Sequence, residues 1–308
     1  MKITSVNPAN GKKLKSYTID TPRQVATRIE QTHKAWLSWR ETTFSQRATL
    51  LKKAAKVLQK NKQTYAELMT AEMGKPIAQS VAEIEKCAAC CEYYAANGAS
   101  HLADQLIESD AKKSFASFQP IGVVLAIMPW NFPFWQLFRF LAPALMAGNC
   151  GVLKHASNVP GCALAIEDVI KEAGFPDHVF QTLLIGSKET DAVIEHPLIR
   201  AVTLTGSTPA GRHVAAKAGS LIKKTVLELG GSDAYIVLED ADLELASEMC
   251  VNSRTINTGQ SCIAAKRFIV VKSVEKKFTD LFVQKMQTKI IGDPMMKNSE
   301  LGPMARID

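Results

Sequence analysis

The chain has 308 residues, 46% of them hydrophobic, a mean hydropathy near zero, and a net charge of +7 from 37 Lys and Arg against 30 Asp and Glu. That composition excludes a disordered or fibrous chain and, at this length, implies about two domains. The longest apolar stretch, residues 121–138, is interrupted by Pro129, Asn131 and Pro133, short of the roughly 20 apolar residues of a membrane helix, and the dispersed basic residues argue against a nucleic-acid surface.

The opening "MKITSVNPANGKK" has no apolar core of a secretory signal. The cysteines are odd in number: Cys87, Cys90, Cys91, Cys150, Cys162, Cys250 and Cys262. Together these features predict a reducing, cytoplasmic setting. Cys87, Cys90 and Cys91 lie in a helical pattern with no second ligand pair, so no metal site is expected.

In chain order, the first hundred residues read as mostly helical. Residues 21–40 place Val25, Ile29, Ala35 and Trp36 on one face, with Thr21 as N-cap and Pro22 at the first helical position. Helices are expected over 45–73 and 77–98, and residues 113–121 alternate like an extended ribbon. From residue 121 strands and helices alternate. Strands are predicted at 121–128, 150–154, 179–185, 201–205 and 224–229, with helices at 134–148, 161–174, 187–196 and 208–219 between them. A second α/β segment follows, with strands at 233–238 and 267–271 and helices at 243–257 and 275–289. This is a doubly covered parallel sheet, whose ligands sit at the carboxyl ends of its strands.

Polar residues gather at those ends. Asn131 follows the first strand, Lys154 ends the second, Gly206 and Ser207 follow a later one, and Glu228 closes the last. "TGSTPAGR" (205–212) opens a helix whose amides and dipole suit a phosphate, although Gly206 to Gly211 is one residue longer than G-x-G-x-x-G. A lysine at the end of a buried strand needs an anion or hydroxyls, and a ribose or its phosphate would serve Lys154. "NTGQSC" sets Cys262 among polar residues, where a thiolate nucleophile needs activation. Glu228 in "LELGG" is a candidate general base and Asn131 in "PWNFP" a candidate oxyanion donor, with Trp130, Phe132 and Trp135 as apolar walls. A buried thiol, a surface carboxylate and a capped turn remain the plain alternatives.

"PWNFP", "TGSTPAG", "LELGG" and "NTGQSC" occur in this order, with "NPANGK" and "EMGKPI" upstream. On these stretches the whole chain resembles the aldehyde dehydrogenases, and through "IGVVLAIMPWNFP" and "VLKHASN" the bacterial succinate-semialdehyde dehydrogenases. The resemblance implies an aldehyde dehydrogenase-like α/β fold. A Rossmann-type cofactor domain would span 1–228, with an oligomerisation ribbon at 102–121, and an incomplete catalytic domain 229–308. It implies Cys262 as nucleophile, Glu228 as base for the hydrolytic water, and Asn131 with the Cys262 N–H as oxyanion hole. Trp130, Lys154, Ser157, Gly206, Ser207 and Gly211 would contact NADP or NAD. Arg139 and Trp135 would contact the aldehyde, and the full-length form would be a homo-oligomer.

Three departures from the family pattern follow. Ser157 stands where NAD-preferring relatives often carry glutamate, which admits NADP+. Arg139 matches one of two arginines that relatives use on a succinate semialdehyde carboxylate, but the second position is Ile256, with Arg254 nearby. Family members also continue past this point, so the chain resembles a truncated product expected to bind cofactor poorly alone. Two further readings stay open: a non-catalytic fragment serving assembly, and a cofactor-free thiol hydrolase, which lacks a histidine partner.

Overall fold

Residues 2–307 are described in the computed structural model. The chain begins with an antiparallel hairpin of β1 (Lys2–Val6) and β2 (Lys13–Thr18), which the helical reading of this region did not anticipate. Its turn is made by the Asn7 side chain, which accepts from the Ala9 amide, and by Gly11 at φ 69°. Helix α1 (Pro22–Trp39) starts with the expected Thr21 cap, completed as a capping box by Gln24. The predicted helix over 45–73 is two helices, α2 (Phe44–Lys60) and α3 (Lys62–Met73), because Asn61 leaves helical geometry at φ −105°, ψ 15°. Helix α4 (Ile77–His101) buries Cys87 and Cys91 in the core. The ribbon is a short pairing of β3 (Gln105–Leu106) with β4 (Phe115–Ala116).

The central sheet runs β5 (Val123–Met128), α5 (Trp135–Met146), β6 (Cys150–His155), α6 (Pro160–Glu172), β7 (Phe180–Thr182), α7 (Thr190–Glu195), β8 (Ile199–Thr205), α8 (Thr208–Ser220) and β9 (Lys224–Glu228). Its order is β7-β6-β5-β8-β9, all parallel. Side chains alternate between its faces: Val123 and Leu125 join the cluster with α1, α7 and α8, while Ala126 and Met128 join the cluster with α2 to α6. The winding direction reverses beside β5, so β5 and β8 are neighbours whose exits diverge. That crevice is the position where such sheets bind ligands. A smaller parallel pair, β10 (Ala234–Val237) with β11 (Arg267–Val270), is packed by α9 (Leu243–Thr255) and α10 (Glu275–Gln287) around Val237, Cys250 and Phe278.

At the end of β6 the buried His155 accepts from the Ala156 amide through Nδ1 at 2.9 Å, so Nε2–H donates to the Pro133 carbonyl at 3.0 Å. Burial pushes its pKa down to about 4, below the ordinary 6.5. The unfolded chain therefore binds the proton first as pH falls, and stability drains between pH 6.5 and 4. Replacing His155 with Leu should remove this component, so that the wild-type-minus-variant difference in urea stability falls by on the order of 1–3 kcal/mol as pH drops from 6.5 to 4. Parallel curves for the two proteins would refute the assignment.

Candidate active site

Two loops meet at the crevice. One leaves β5 and carries Trp130 and Asn131; the other, after α9, carries Cys262. Asn131 Nδ2 donates to the Gln260 carbonyl at 3.0 Å, while Asn257 Nδ2 donates to the Asn131 carbonyl at 2.7 Å and to that of Gln260 at 3.2 Å. Asn257, Thr258 and Gly259 are all left-handed, at φ 51°, 57° and 78°. Such a run is strained for the two non-glycine residues and has to be held by tertiary contacts. Gln79 accepts from the Asn257 amide at 2.7 Å, Thr258 Oγ1 accepts from the Gly302 amide at 3.0 Å, and Gln260 Oε1 accepts from the Ala305 amide at 2.9 Å. Arg254 closes the loop, donating to the Gly259 and Ala265 carbonyls at 2.8 Å each. Its guanidinium is thus committed to backbone.

Cys262 is half-buried and lines a cavity of about 320 Å³ with Trp130, Asn131, Gly206, Ser207 and Leu229. Among the described residues its backbone N–H makes no hydrogen bond. The Asn131 amide spends one of its two hydrogens on Gln260 and keeps the other. Cys262 and Asn131 therefore line one cavity. Glu228 is exposed at the end of β9 and does not line this cavity. Its Oε2 lies 3.3 Å from Nη2 of Arg139, which also donates to Thr205 Oγ1 at 3.2 Å. Glu228, Arg139 and Trp135 line an adjoining cavity of about 860 Å³, and Gln136 and Thr205 border both.

Lys154 is half-buried at the end of β6. Burial lowers its pKa, opposed by the charge of Glu189, and no carboxylate among the described residues is within ion-pair reach. Ser157 is exposed on the following turn. Ser207 caps α8, accepting from the Ala210 amide at 3.4 Å, and the Gly206 amide is taken by the Glu228 carbonyl at 3.0 Å. The Gly211 amide donates to the Ser207 carbonyl inside α8, and a Cβ there would lie 2.5 Å from Leu229, so the missing side chain lets α8 pack on the strand end.

A model of the aldehyde dehydrogenase family matches residues 1–308. The chain belongs to this family. It is 50% identical over 308 residues to a Synechocystis protein named "Probable succinate-semialdehyde dehydrogenase [NADP(+)]", covering 100% of this chain and 68% of that one. It is 48% identical to "Succinate-semialdehyde dehydrogenase [NADP(+)] 1" of Mycobacterium bovis, covering 99% and 67%. The crystal structure of succinic semialdehyde dehydrogenase from Streptococcus pyogenes in complex with NADP+ superposes with a TM-score of 0.96 at 34% identity, covering 99% of this chain and 67% of that one. The chain therefore spans about two thirds of the length of these aldehyde dehydrogenases.

The "EMGKPI" motif of this aldehyde dehydrogenase, to which the sequence alone gave no role, supports the site from behind. Helices α5 and α6 have no side-chain caps of their own. Glu72 accepts from the Gly161 and Cys162 amides at 2.9 Å each, capping α6, and burial raises its pKa against those bonds. Gly74 ends α3 in the left-handed conformation, which glycine adopts without strain. Buried Lys75 pairs with buried Glu83 and lies 3.7 Å from the centre of the Phe132 ring. Glu83 Oε1 accepts from the amides of Phe134 and Trp135 at 3.0 and 2.9 Å, capping α5 three residues beyond Asn131. Only the 3D contacts reveal these roles, since 51 or more residues separate each carboxylate from the amides it caps. Lys75→Met would leave the Glu83 charge buried and should cost about 3–5 kcal/mol in urea unfolding; a loss below about 1 kcal/mol would refute the clamp.

Proposed function

We propose that this chain oxidises an aldehyde, succinate semialdehyde foremost, to the carboxylic acid with NADP+ through a thioester on Cys262. The observation that carries the reading is that Cys262, whose N–H is unpaired among the described residues, and Asn131, with one amide hydrogen unspent on Gln260, line the same cavity as Gly206 and Ser207. The names and NADP+ of the similar proteins support the substrate and the cofactor.

The residues present fit the cofactor. Half-buried Lys154 is a cation without an ion-pair partner among the described residues, and Ser157 adds a neutral hydroxyl where a carboxylate would repel a 2′-phosphate. Lys154 and Ser157 would hold the phosphorylated ribose, with Trp130, Gly206 and Ser207 lining the groove toward Cys262.

The Cys262 thiolate forms a bond to the aldehyde carbon, and the carbonyl π pair becomes an oxyanion. The second Asn131 hydrogen and the Cys262 N–H meet that charge; one such donor is worth about 3 kcal/mol. When bound, the nicotinamide supplies the hydride acceptor that turns the hemithioacetal into a thioester. Arg139 holds the substrate carboxylate, exchanging it for Glu228. Glu228, so released, takes a proton from water; the resulting hydroxide attacks the acyl carbon, and the thiolate leaves with the bond pair. The exposed Leu106, Ile107, Phe115 and Phe118 of the ribbon support pairing with another copy, and seven free thiols suit a reducing compartment such as the cytoplasm.

NADPH formation with succinate semialdehyde tests the reading. Cys262→Ala should abolish it, Asn131→Ala should lower kcat about 10²- to 10³-fold, and Glu228→Gln should keep a single burst of NADPH without turnover. Turnover surviving Cys262→Ala would overturn the chemistry. In a separate comparison kcat/KM should favour NADP+ over NAD+; a large preference for NAD+ would overturn the cofactor assignment.

A further inference from the structure

Lys86 is a cation that no carboxylate of the described structure engages. Its acidic neighbours are spent elsewhere: Glu83 on Lys75, Glu85 on Lys62 and Glu300 on Lys289. Its Nζ lies 3.9 Å from the centre of the Trp135 ring. Arg139 follows Trp135 by four residues on α5, the spacing of one helical face. Trp135 therefore has one cation over its ring and a second one turn along the helix. Lys86 and Trp135 line both the 860 Å³ cavity of Arg139 and Glu228 and a neighbouring cavity of about 460 Å³. In that second cavity Ile256 contributes an apolar wall and Lys297 a further positive charge.

We propose that Lys86 is a specificity-determining residue that holds, together with Arg139, the carboxylate end of an ω-carboxylated aldehyde. The inference rests on the reading of the substrate as a semialdehyde. Arg139 is shared with Glu228 before substrate arrives, so Lys86 is the cation free to meet the carboxylate first. Two charge-assisted contacts replace one, and the apolar Ile256 supplies no competing group. Neutral aldehydes of equal length gain nothing from either cation.

The test compares succinate semialdehyde with butyraldehyde in NADPH formation, and succinate with the uncharged succinamide in titration calorimetry. Lys86→Met should raise KM for the semialdehyde and Kd for succinate about tenfold, with the butyraldehyde KM moving less than about twofold. Lys86→Arg should retain the preference, and Ile256→Arg in the Lys86→Met background should restore much of it by returning a cation to the same cavity. An unchanged semialdehyde-to-butyraldehyde ratio and unchanged succinate affinity in Lys86→Met would overturn the inference while leaving the proposed function intact. An equal loss for both aldehydes would also overturn it, marking Lys86 as structural. A wild-type chain with no preference for the semialdehyde and for succinate over their neutral counterparts would remove the substrate reading, and the inference with it.

Discussion

A carboxylate taken out of water has to spend its acceptor capacity on nearby donors, because an unpaired buried charge is too costly to keep. Glu83 meets that condition in three directions at once: the Lys75 ammonium and the first amides of α5 at Phe134 and Trp135. Since α5 has no cap of its own, the helix can begin only where this carboxylate waits. The start of α5 in turn fixes the exit of the loop that holds Asn131. Phe132 lies under the Lys75 ammonium, so the loop is pinned on both sides of Pro133, and His155 binds the Pro133 carbonyl from the neighbouring strand. Glu72 does for α6 what Glu83 does for α5. One short stretch, residues 72–83 across the junction of α3 and α4, thereby sets the positions of two helices that flank the crevice.

The Cys262 loop is built on a different principle. Three successive left-handed residues cannot hold themselves, so contacts from distant parts of the chain over-determine the turn: Gln79, Gly302, Ala305 and the Asn131 loop. Arg254 ties the two ends of the same loop together. The strain places Cys262 at the mouth of the crevice with its amide unspent, a geometry that no relaxed helix or strand would offer.

Charge divides the site into two regions. Lys154 and Ser157, proposed above to hold a phosphorylated ribose, stand at and just after the end of β6. Lys86, Arg139 and Glu228 stand across Trp135 and Thr205, around the larger cavity. Cys262 and Asn131 occupy the space between, bordered by Gln136 and Thr205 on one side and by Gly206 and Ser207 on the other. The pairing of Arg139 with Glu228 links the two roles read for them: a carboxylate that claims the arginine releases the acid.

The sequence by itself determined the alternation of strands and crossover helices, the Thr21 cap, and the set of polar residues at the strand ends. These are local signals, carried by periodicity and by residues whose backbone preferences act within a few positions. Its four motifs also named the family, since order and spacing survive in one dimension. The tertiary structure alone decided the rest. The break at Asn61 interrupts a continuous helical pattern, and the pairing of β1 with β2 around the Asn7–Gly11 turn is visible only in the fold. The commitment of Arg254 to backbone, the turning of Gly211 toward Leu229, the engagement of Glu228 by Arg139 and the clamp of Lys75 and Glu83 are contacts between residues that only the folded chain brings within a few ångströms. Lys86 shows the difference most plainly: in one dimension it is another lysine on an amphipathic helix, and only the neighbours' prior pairings leave its charge available at the wall of the cavity.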